Sequence, residues 1–408
     1  MLQSIVIIGA GQAGFQTAAS LRQDGFGGSI TLIDGEPGMP YQRPPLSKAY
    51  LLGKTDVTGL QFRPEKFFAD NRIDLVCGNA TAIDRTNRRV TVKDTQALPY
   101  DHLVLATGAH NRALPVPGAD LDGVFGLKNL ADADALAARL ARARDVIVAG
   151  AGFIGLEFAA VAAMKGKRVH VVELADRPMA RAVSPETAAF FVDAHRAWGV
   201  KLDFGQGLAR IEGGADGVSG VELTNGTRLA ADLVLFGIGV LPNQSIAAEA
   251  GLDIENGIRV DPFLVTSDER ISAIGDCAMF PSQHAGAAIR LESVQNAADQ
   301  GRTVAARLTG KRAPYSAVPW FWTDQGDLKL QMVGLSQGHD AAVRLGDPDA
   351  RSFSVLLFHR GRLIAVESVN RPGDFMTARK ILAGRESPRP EEAAADGFDL
   401  RAWMAANN

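Results

Sequence analysis

Two stretches of this chain share one spacing of glycines, Gly9-Ala-Gly11-Gln-Ala-Gly14 and Gly150-Ala-Gly152-Phe-Ile-Gly155, and they stand 141 residues apart. Each follows an apolar, β-branched run, Ser4–Ile8 and Asp145–Ala149, that reads as a buried strand. Glycines so spaced allow a sharp strand-to-helix turn and let backbone N–H groups approach a pyrophosphate, with the following helix aiming its N-terminus at the phosphates. Each unit closes on a second strand ending in an acid: Ile30–Ile33 before Asp34, and Val169–Val172 before Glu173. A carboxylate there accepts hydrogen bonds from ribose hydroxyls. Two dinucleotide sites in one chain imply a redox relay.

The elements that must position these sites follow from pattern and composition. Val146–Met164 is apolar for 19 residues. Its turn-spaced glycines and the internal Glu157 make it strand, phosphate turn and buried helix rather than a membrane span. No cationic stretch precedes the first apolar run, which argues against a cleaved signal peptide. At 408 residues the chain exceeds one core and predicts two or three domains. A net charge of −3 gives no reason to expect nucleic acid or a membrane as a partner. The two cysteines, Cys77 and Cys277, form no metal-ligand or redox pair. Both are expected to pack as small buried hydrophobes, in a reducing cytoplasm.

The βαβ signals place one nucleotide unit near residues 1–110 and the other near 110–238. Tyr100–Ala109 and Ala231–Asn243 repeat one pattern of acid, apolar run and small residues, as paired crossovers of two related domains would. Ile271–Cys277 reads as another buried strand ending in Gly-Asp, and its return to the first sheet would make the first domain discontinuous. Beyond Tyr315 the texture changes. Leu328–Val333, Phe353–Phe358 and Leu363–Val369 look antiparallel, the last two joined around Arg360-Gly361. A helix over Asp374–Leu382, closed by Gly384, is predicted after them.

Tyr41-Gln-Arg-Pro-Pro-Leu-Ser-Lys48 holds a rigid double-proline turn before a lysine. With this segment the chain resembles the ferredoxin reductases of the putidaredoxin-reductase type, flavoproteins that serve cytochrome monooxygenases and aromatic-ring dioxygenases. The resemblance spans the whole chain: the first fingerprint, Pro44–Lys48, Ala106-Thr107-Gly108, Gly150–Glu157, Gly237-Ile-Gly239, Gly275-Asp276, Glu292-Ser-Val294 and Pro319–Trp322 with Asp324-Gln325.

The resemblance implies an α/β fold of two Rossmann-like dinucleotide-binding domains, in a glutathione-reductase-like architecture, plus a C-terminal α+β domain. The FAD-binding domain is then residues 1–109 and 239–315, the NADH-binding domain 110–238, and the C-terminal domain 316–408. It implies that Gly9, Gly11, Ala13 and Gly14 wrap the FAD pyrophosphate, and that Ala80 lies at the adenine. Ala106, Thr107, Gly108, Asp276 and the backbone N–H of Val294 belong to the same site. Lys48 is expected to reach flavin N5 and to pair with Glu157, the two acting by position and charge. Gly150, Gly152, Ile154, Gly155, Glu173, Arg181 and Gly239 are expected to hold NADH. Trp320 and Trp322 lie either at the flavin edge, near where an iron–sulfur partner docks, or in the core of the third domain.

Two departures from the family pattern matter. The usual adenosine acid falls on Gly35, leaving its job to Asp34 or Glu36. A usual arginine near the FAD pyrophosphate is Lys128, which keeps the charge and loses the bidentate fork. Glu173, which repels a 2′-phosphate, favours NADH over NADPH. The activity implied is NADH-dependent reduction of a [2Fe-2S] ferredoxin through FAD, feeding an oxygenase and needing no metal of its own. An NADH oxidase, or a flavoprotein like apoptosis-inducing factor, is the alternative. Arg290, Arg312 and Lys329 are expected to steer an acidic ferredoxin.

Overall fold

The structure, a computed structural model, describes residues 2–407. The chain forms two compact units. One consists of the residues up to Gln42, Val57–His110 and Leu241–Pro319; the other of Arg43–Asp56, Asn111–Val240 and the residues from Trp320 onward.

In the first unit a five-stranded sheet runs in the order Ile271–Ala273, His102–Leu105, Ser4–Ile8, Ser29–Asp34, Ile73–Cys77, all parallel. Alternation along the first strand explains its unbroken apolar run. Ile5 and Ile7 pack with Leu21, Val304 and Ala305 on one face, while Val6 and Ile8 pack with Val90, Val92 and Ile258 on the other. A parallel strand covered on both faces reads as continuous hydrophobic sequence. Helix Gln12–Gln23 lies against helix Val294–Leu308 through Gly301, where a Cβ would stand 2.9 Å from the Ala13 carbonyl oxygen. The strand Ile271–Ala273 does return to the first sheet, pairing with His102–Leu105.

The expectation for the cysteines holds for one of them. Cys277 is fully buried, but Cys77 is exposed. The reason is topological: Cys77 ends the sheet's edge strand, which has a neighbour on one side only.

In the second unit a parallel sheet runs in the order Lys201–Phe204, Arg168–Glu173, Asp145–Ala149, Leu233–Phe236, Val124–Phe125. The apolar stretch from Val146 is strand to Ala149, turn, then helix Phe153–Met164. Among the described residues no helix is long and apolar enough to cross a membrane.

The same unit also holds a five-stranded antiparallel sheet in the order Trp320–Gln325, Leu328–Gly334, Arg362–Val369, Ser352–His359, Ala341–Asp347. Its first and last strands were not anticipated. The edge strand Ala341–Asp347 turns only Ala341, Val343 and Leu345 inward, all half-buried, and the aromatics of Trp320–Gln325 conceal the period of the other strand. The predicted final helix runs from Pro372 to Ala383, two residues earlier than expected, because Pro372 supplies a preset first position. Gly384 closes it in an extended conformation (φ −87°) rather than a left-handed one.

Candidate active site

The glycines of the two fingerprints divide their work in the same way. Gly9 and Gly150 have φ of +104° and +105°, a region that favours glycine. A Cβ on Gly9 would come 2.2 Å from the Ala106 carbonyl oxygen, and one on Gly150 would come 2.6 Å from that of Gly237. A Cβ on Gly14 or Gly155 would strike the carbonyl oxygen of Gly9 or Gly150, at 1.8 and 2.1 Å. First and third glycines therefore serve packing. The middle ones do not: a Cβ on Gly11 would meet nothing within 4 Å, and one on Gly152 only the Gly237 oxygen at 3.9 Å. Each turn thus leaves room above its middle glycine where a pyrophosphate can approach the backbone, and the residues fit two dinucleotides.

Within the first unit the expected FAD residues gather at the carboxyl ends of parallel strands, where open α/β sheets bind ligands. Gly9, Gly11, Ala13 and Gly14 follow Ser4–Ile8, Asp34 ends Ser29–Asp34, and Ala106, Thr107 and Gly108 follow His102–Leu105. Hydrogen bonds lock these ends together: Gly9 N–H donates to the Ile33 carbonyl (2.9 Å), and Ala106 N–H to that of Ile8 (2.8 Å). Thr107 and Asn243 clasp each other, Oγ1 to the Asn243 carbonyl at 2.6 Å and Nδ2 to the Thr107 carbonyl at 2.8 Å. Ala80 opens the strand Ala80–Asp84, just past the end of Ile73–Cys77. Asp276 sits in the turn Gly275–Cys277 beyond the returning strand, its carbonyl accepting from Arg290. Val294 is the first residue of its helix, whose N-cap Ser293 accepts from the Asn296 N–H at 3.0 Å.

Gly35 has a local reason to lack a side chain, since a Cβ there would meet the Asn79 amide oxygen at 2.5 Å. The neighbouring acids are already engaged. Asp34 Oδ1 accepts from the Glu36 N–H, and the Tyr41 hydroxyl donates to Glu36.

The second unit repeats the arrangement. Gly150 N–H donates to the Val172 carbonyl and Gly237 N–H to that of Ala149, each at 2.8 Å. Glu173 ends its strand, and its carboxylate accepts from the N–H groups of Ala151 (2.7 Å) and Ala175 (2.9 Å). The acid is thereby fixed beside the glycine turn, with lone pairs left for ribose hydroxyls. Ile154 is exposed on the first turn of the helix, and the Arg181 guanidinium lies beside Gly239.

Lys48 and Glu157, 109 residues apart in sequence, meet in the same unit at 2.7 Å. Glu157 projects from helix Phe153–Met164 and is 4% exposed. Lys48 follows the short helical turn Pro44–Ser47, whose prolines fix the backbone that presents it. Two further donors complete the carboxylate. Ser47 Oγ donates to Oε2 at 2.5 Å, and Thr323 Oγ1 donates to Oε1 at 2.6 Å. Behind Thr323 a buried polar line continues through Gln325, whose Nε2 donates to Thr323 Oγ1 and whose Oε1 pairs with His195 Nε2 at 2.9 Å. Burial pushes the His195 imidazole down to about 4, against the raising effect of the hydrogen bond it donates to Gln325 Oε1. A buried carboxylate with two hydroxyl donors and one cation holds a fixed negative charge at a fixed place.

Ser47 and Gln325 were given no role from sequence, and Thr323 and His195 were not singled out. A period-2 reading of Trp320–Gln325 would have found two of them. It puts Phe321, Thr323 and Gln325 on one face, and Phe321 packs on Phe153 of the Glu157 helix, ring centroids 4.6 Å apart.

The structure bears on three further expectations. Lys128 belongs to the second unit, where its carbonyl accepts from Arg43 and its N–H donates to Asp132. Trp320 packs at an edge on Phe375 and carries the Arg379 guanidinium 5.0 Å above its ring, half-buried with its neighbour Trp322. Arg290 cannot steer a partner: its side chain is 9% exposed, held by Glu292 at 2.6 Å and the Asp276 carbonyl at 3.0 Å. A long-range field needs exposed charge, and here the arginine is spent on shaping the Asp276 turn. Arg312, stacked 4.2 Å from the Phe263 ring, and Lys329, 3.6 Å from Asp324, remain at the surface. Among the described residues no group of histidine, cysteine and acidic side chains could hold a metal ion.

Comparison with known proteins gives the arrangement a context. Residues 3–301 match the family described as pyridine nucleotide-disulphide oxidoreductase, and residues 320–404 match that described as reductase C-terminal. Rhodocoxin reductase of Rhodococcus erythropolis is 51% identical over 403 residues, covering 98% of this chain and 94% of its own. The ferredoxin reductase for the CYP199A2 system of Rhodopseudomonas palustris superposes with a TM-score of 0.96 at 51% identity, over 98% of this chain and 100% of the other. The reductase in the covalent putidaredoxin reductase–putidaredoxin complex gives a TM-score of 0.95 at 39% identity, over 99% and 98%.

Proposed function

This chain belongs to the pyridine nucleotide-disulphide oxidoreductase family, among its ferredoxin reductases, and we propose on that premise that it carries electrons from NADH through FAD to a [2Fe-2S] ferredoxin feeding an oxygenase. The observation that carries this reading is the doubled cradle, two turns in one chain whose middle glycines alone face open space. One turn takes FAD, with Gly9, Gly11, Ala13, Gly14, Ala106, Thr107, Gly108, Asp276 and Val294 around it, Ala80 at the adenine, and Asp34 or Glu36 at the ribose. The other takes NADH, with Gly150, Gly152, Ile154, Gly155, Glu173, Arg181 and Gly239. The bound flavin supplies the step from hydride to single electrons.

The protein's own groups hold and tune. Lys48 presents a cation, and Glu157, Ser47 and Thr323 keep it in one place through a shared carboxylate. The N-terminus of helix Val294–Leu308 directs its partial positive charge at whatever lies before it, which favours an anionic reduced cofactor. Glu173 selects the unphosphorylated ribose. Trp320 stands near the electron exit. The cytoplasm suits a chain whose two cysteines are both free.

Anaerobic reduction of the yellow protein by NADH, followed by cytochrome reduction with and without a small [2Fe-2S] ferredoxin, tests the reading. Ferredoxin-dependent turnover is expected. Rapid NADH consumption by oxygen alone, unchanged by ferredoxin, would overturn it in favour of an oxidase.

A further inference from the structure

The segment from Met179 to Ser184 runs past the second glycine turn. Met179 adopts φ +50°, a strained value for a side-chain-bearing residue, and its N–H donates to the Ala151 carbonyl at 2.9 Å, inside the fingerprint. The N–H groups of Ala182 and Val183 then fold back onto the Met179 carbonyl, and the turn sets Arg181 beside Gly239. This segment belongs by sequence to the nucleotide domain, yet side chains of the C-terminal sheet and of the loop after its strand Leu328–Gly334 hold it along its length. Gln325 Nε2 reaches Met179 Sδ (3.7 Å), Gln337 Nε2 donates to the Arg181 carbonyl (3.1 Å), and Ser336 Oγ donates to the Ala182 carbonyl (3.0 Å). Glu367 takes the end of the segment with both oxygens, from Ser184 N–H and Ser184 Oγ, each at 2.7 Å.

Glu367 is 1% exposed and Ser184 equally buried. Burial pushes the Glu367 carboxyl up, against hydrogen bonds from Ser184 and Thr187 that lower it. A buried acid is costly in an antiparallel sheet whose neighbours are apolar. Here it does a job no apolar residue could do, because it accepts from both the N–H and the hydroxyl of Ser184, the N-cap of helix Pro185–Ala197, three residues after Arg181.

We propose that Glu367, with Ser336 and Gln337, is a positioning element of the NADH site, so that the C-terminal domain helps to shape dinucleotide affinity by clamping residues 179–184. The inference rests on the placement of Arg181 at the second dinucleotide. It makes the C-terminal sheet part of the pyridine-nucleotide site through one loop.

The test is the affinity of the oxidised holoenzyme for NAD+, read by calorimetry. Loss of one charge-assisted bond in Glu367→Gln is expected to raise Kd about tenfold. The half-saturating NADH concentration for flavin reduction should rise in step, with the saturating rate nearly unchanged and FAD content normal. Amide exchange of residues 179–184 should quicken. The double variant Ser336→Ala/Gln337→Ala, at less buried positions, should raise Kd a few-fold and serves alone if Glu367→Gln does not fold. Arg181→Ala separates the two layers of the argument. If it binds NAD+ as wild type does, the Arg181 placement fails and the inference with it. If it binds weakly while the folded clamp variants bind normally, only the inference falls.

Discussion

At the scale of single residues, the Glu157 carboxylate is defined by its donors. Lys48 supplies charge, but Thr323 and Ser47 decide where that charge can rest. Thr323→Val keeps the branched shape that suits a strand and removes one donor. Hydrogen bonds to charged groups contribute about 1.5–3 kcal/mol, so a tenfold or larger fall in the rate constant for flavin reduction by NADH is expected. Stopped-flow reduction at saturating NADH checks it, and an unchanged rate would detach Thr323 from the chemistry. In the proposed role Glu173 works through repulsion as well as attraction. Its carboxylate is pinned by two backbone N–H groups and cannot swing away from a 2′-phosphate. Catalytic efficiency should favour NADH over NADPH by about 100-fold, and Glu173→Ala should erase most of that gap. Near-equal use of both cofactors by the wild type would remove Glu173 from this role.

At the scale of elements, the two strand–turn–helix units make opposite predictions for neighbouring glycines. Gly14→Ala puts a methyl group into the Gly9 carbonyl and should cost at least about 3 kcal/mol of stability, because backbone cannot yield as a flexible side chain can. Gly11→Ala meets nothing in the protein, so the chain should fold with wild-type circular dichroism yet retain less FAD after gel filtration. Full FAD retention by Gly11→Ala would mean that the pyrophosphate does not lie over that turn. These elements were legible because strand, glycines and acid lie within some thirty residues, where local pattern and tertiary role agree. Thr323, His195 and Glu367 were not. Their functions depend on a sheet that begins more than 140 residues after the second fingerprint, and nothing local distinguishes a buried polar residue with partners from an exposed one. Arg290 misled for the same reason, since charge read from sequence carries no burial.

At the scale of the whole molecule, the chain's path matters: the first unit is completed by residues that return after an excursion of more than 120 positions. The joint is the pairing of Ile271–Ala273 with His102–Leu105, and a buried histidine stands in it. His102 Nε2 lies 2.9 Å from Ser272 Oγ, which also receives a hydrogen bond from Arg307. Burial first, and the Arg307 charge second, push the His102 imidazole down to about 3. The unfolded chain therefore takes up a proton near pH 6.5 that the folded unit refuses, so stability is full above that pH and is lost as pH falls toward the folded value. The carboxylates of this unit held below their usual range, Asp84, Asp101 and Asp268, lose their contribution only nearer pH 4 and below. Between pH 6.5 and 4.5 the histidine should thus dominate, at about 1.4 kcal/mol per pH unit, or about 3 kcal/mol across the window. Release of FAD on heating, followed by the rise in flavin fluorescence, reports on this unit. Its midpoint should fall steadily as pH drops through the window. His102→Gln, which keeps a polar partner for Ser272 but cannot titrate, should be less stable at pH 7 and nearly flat below it. A variant that keeps the wild-type slope would place the acid sensitivity elsewhere than in this joint.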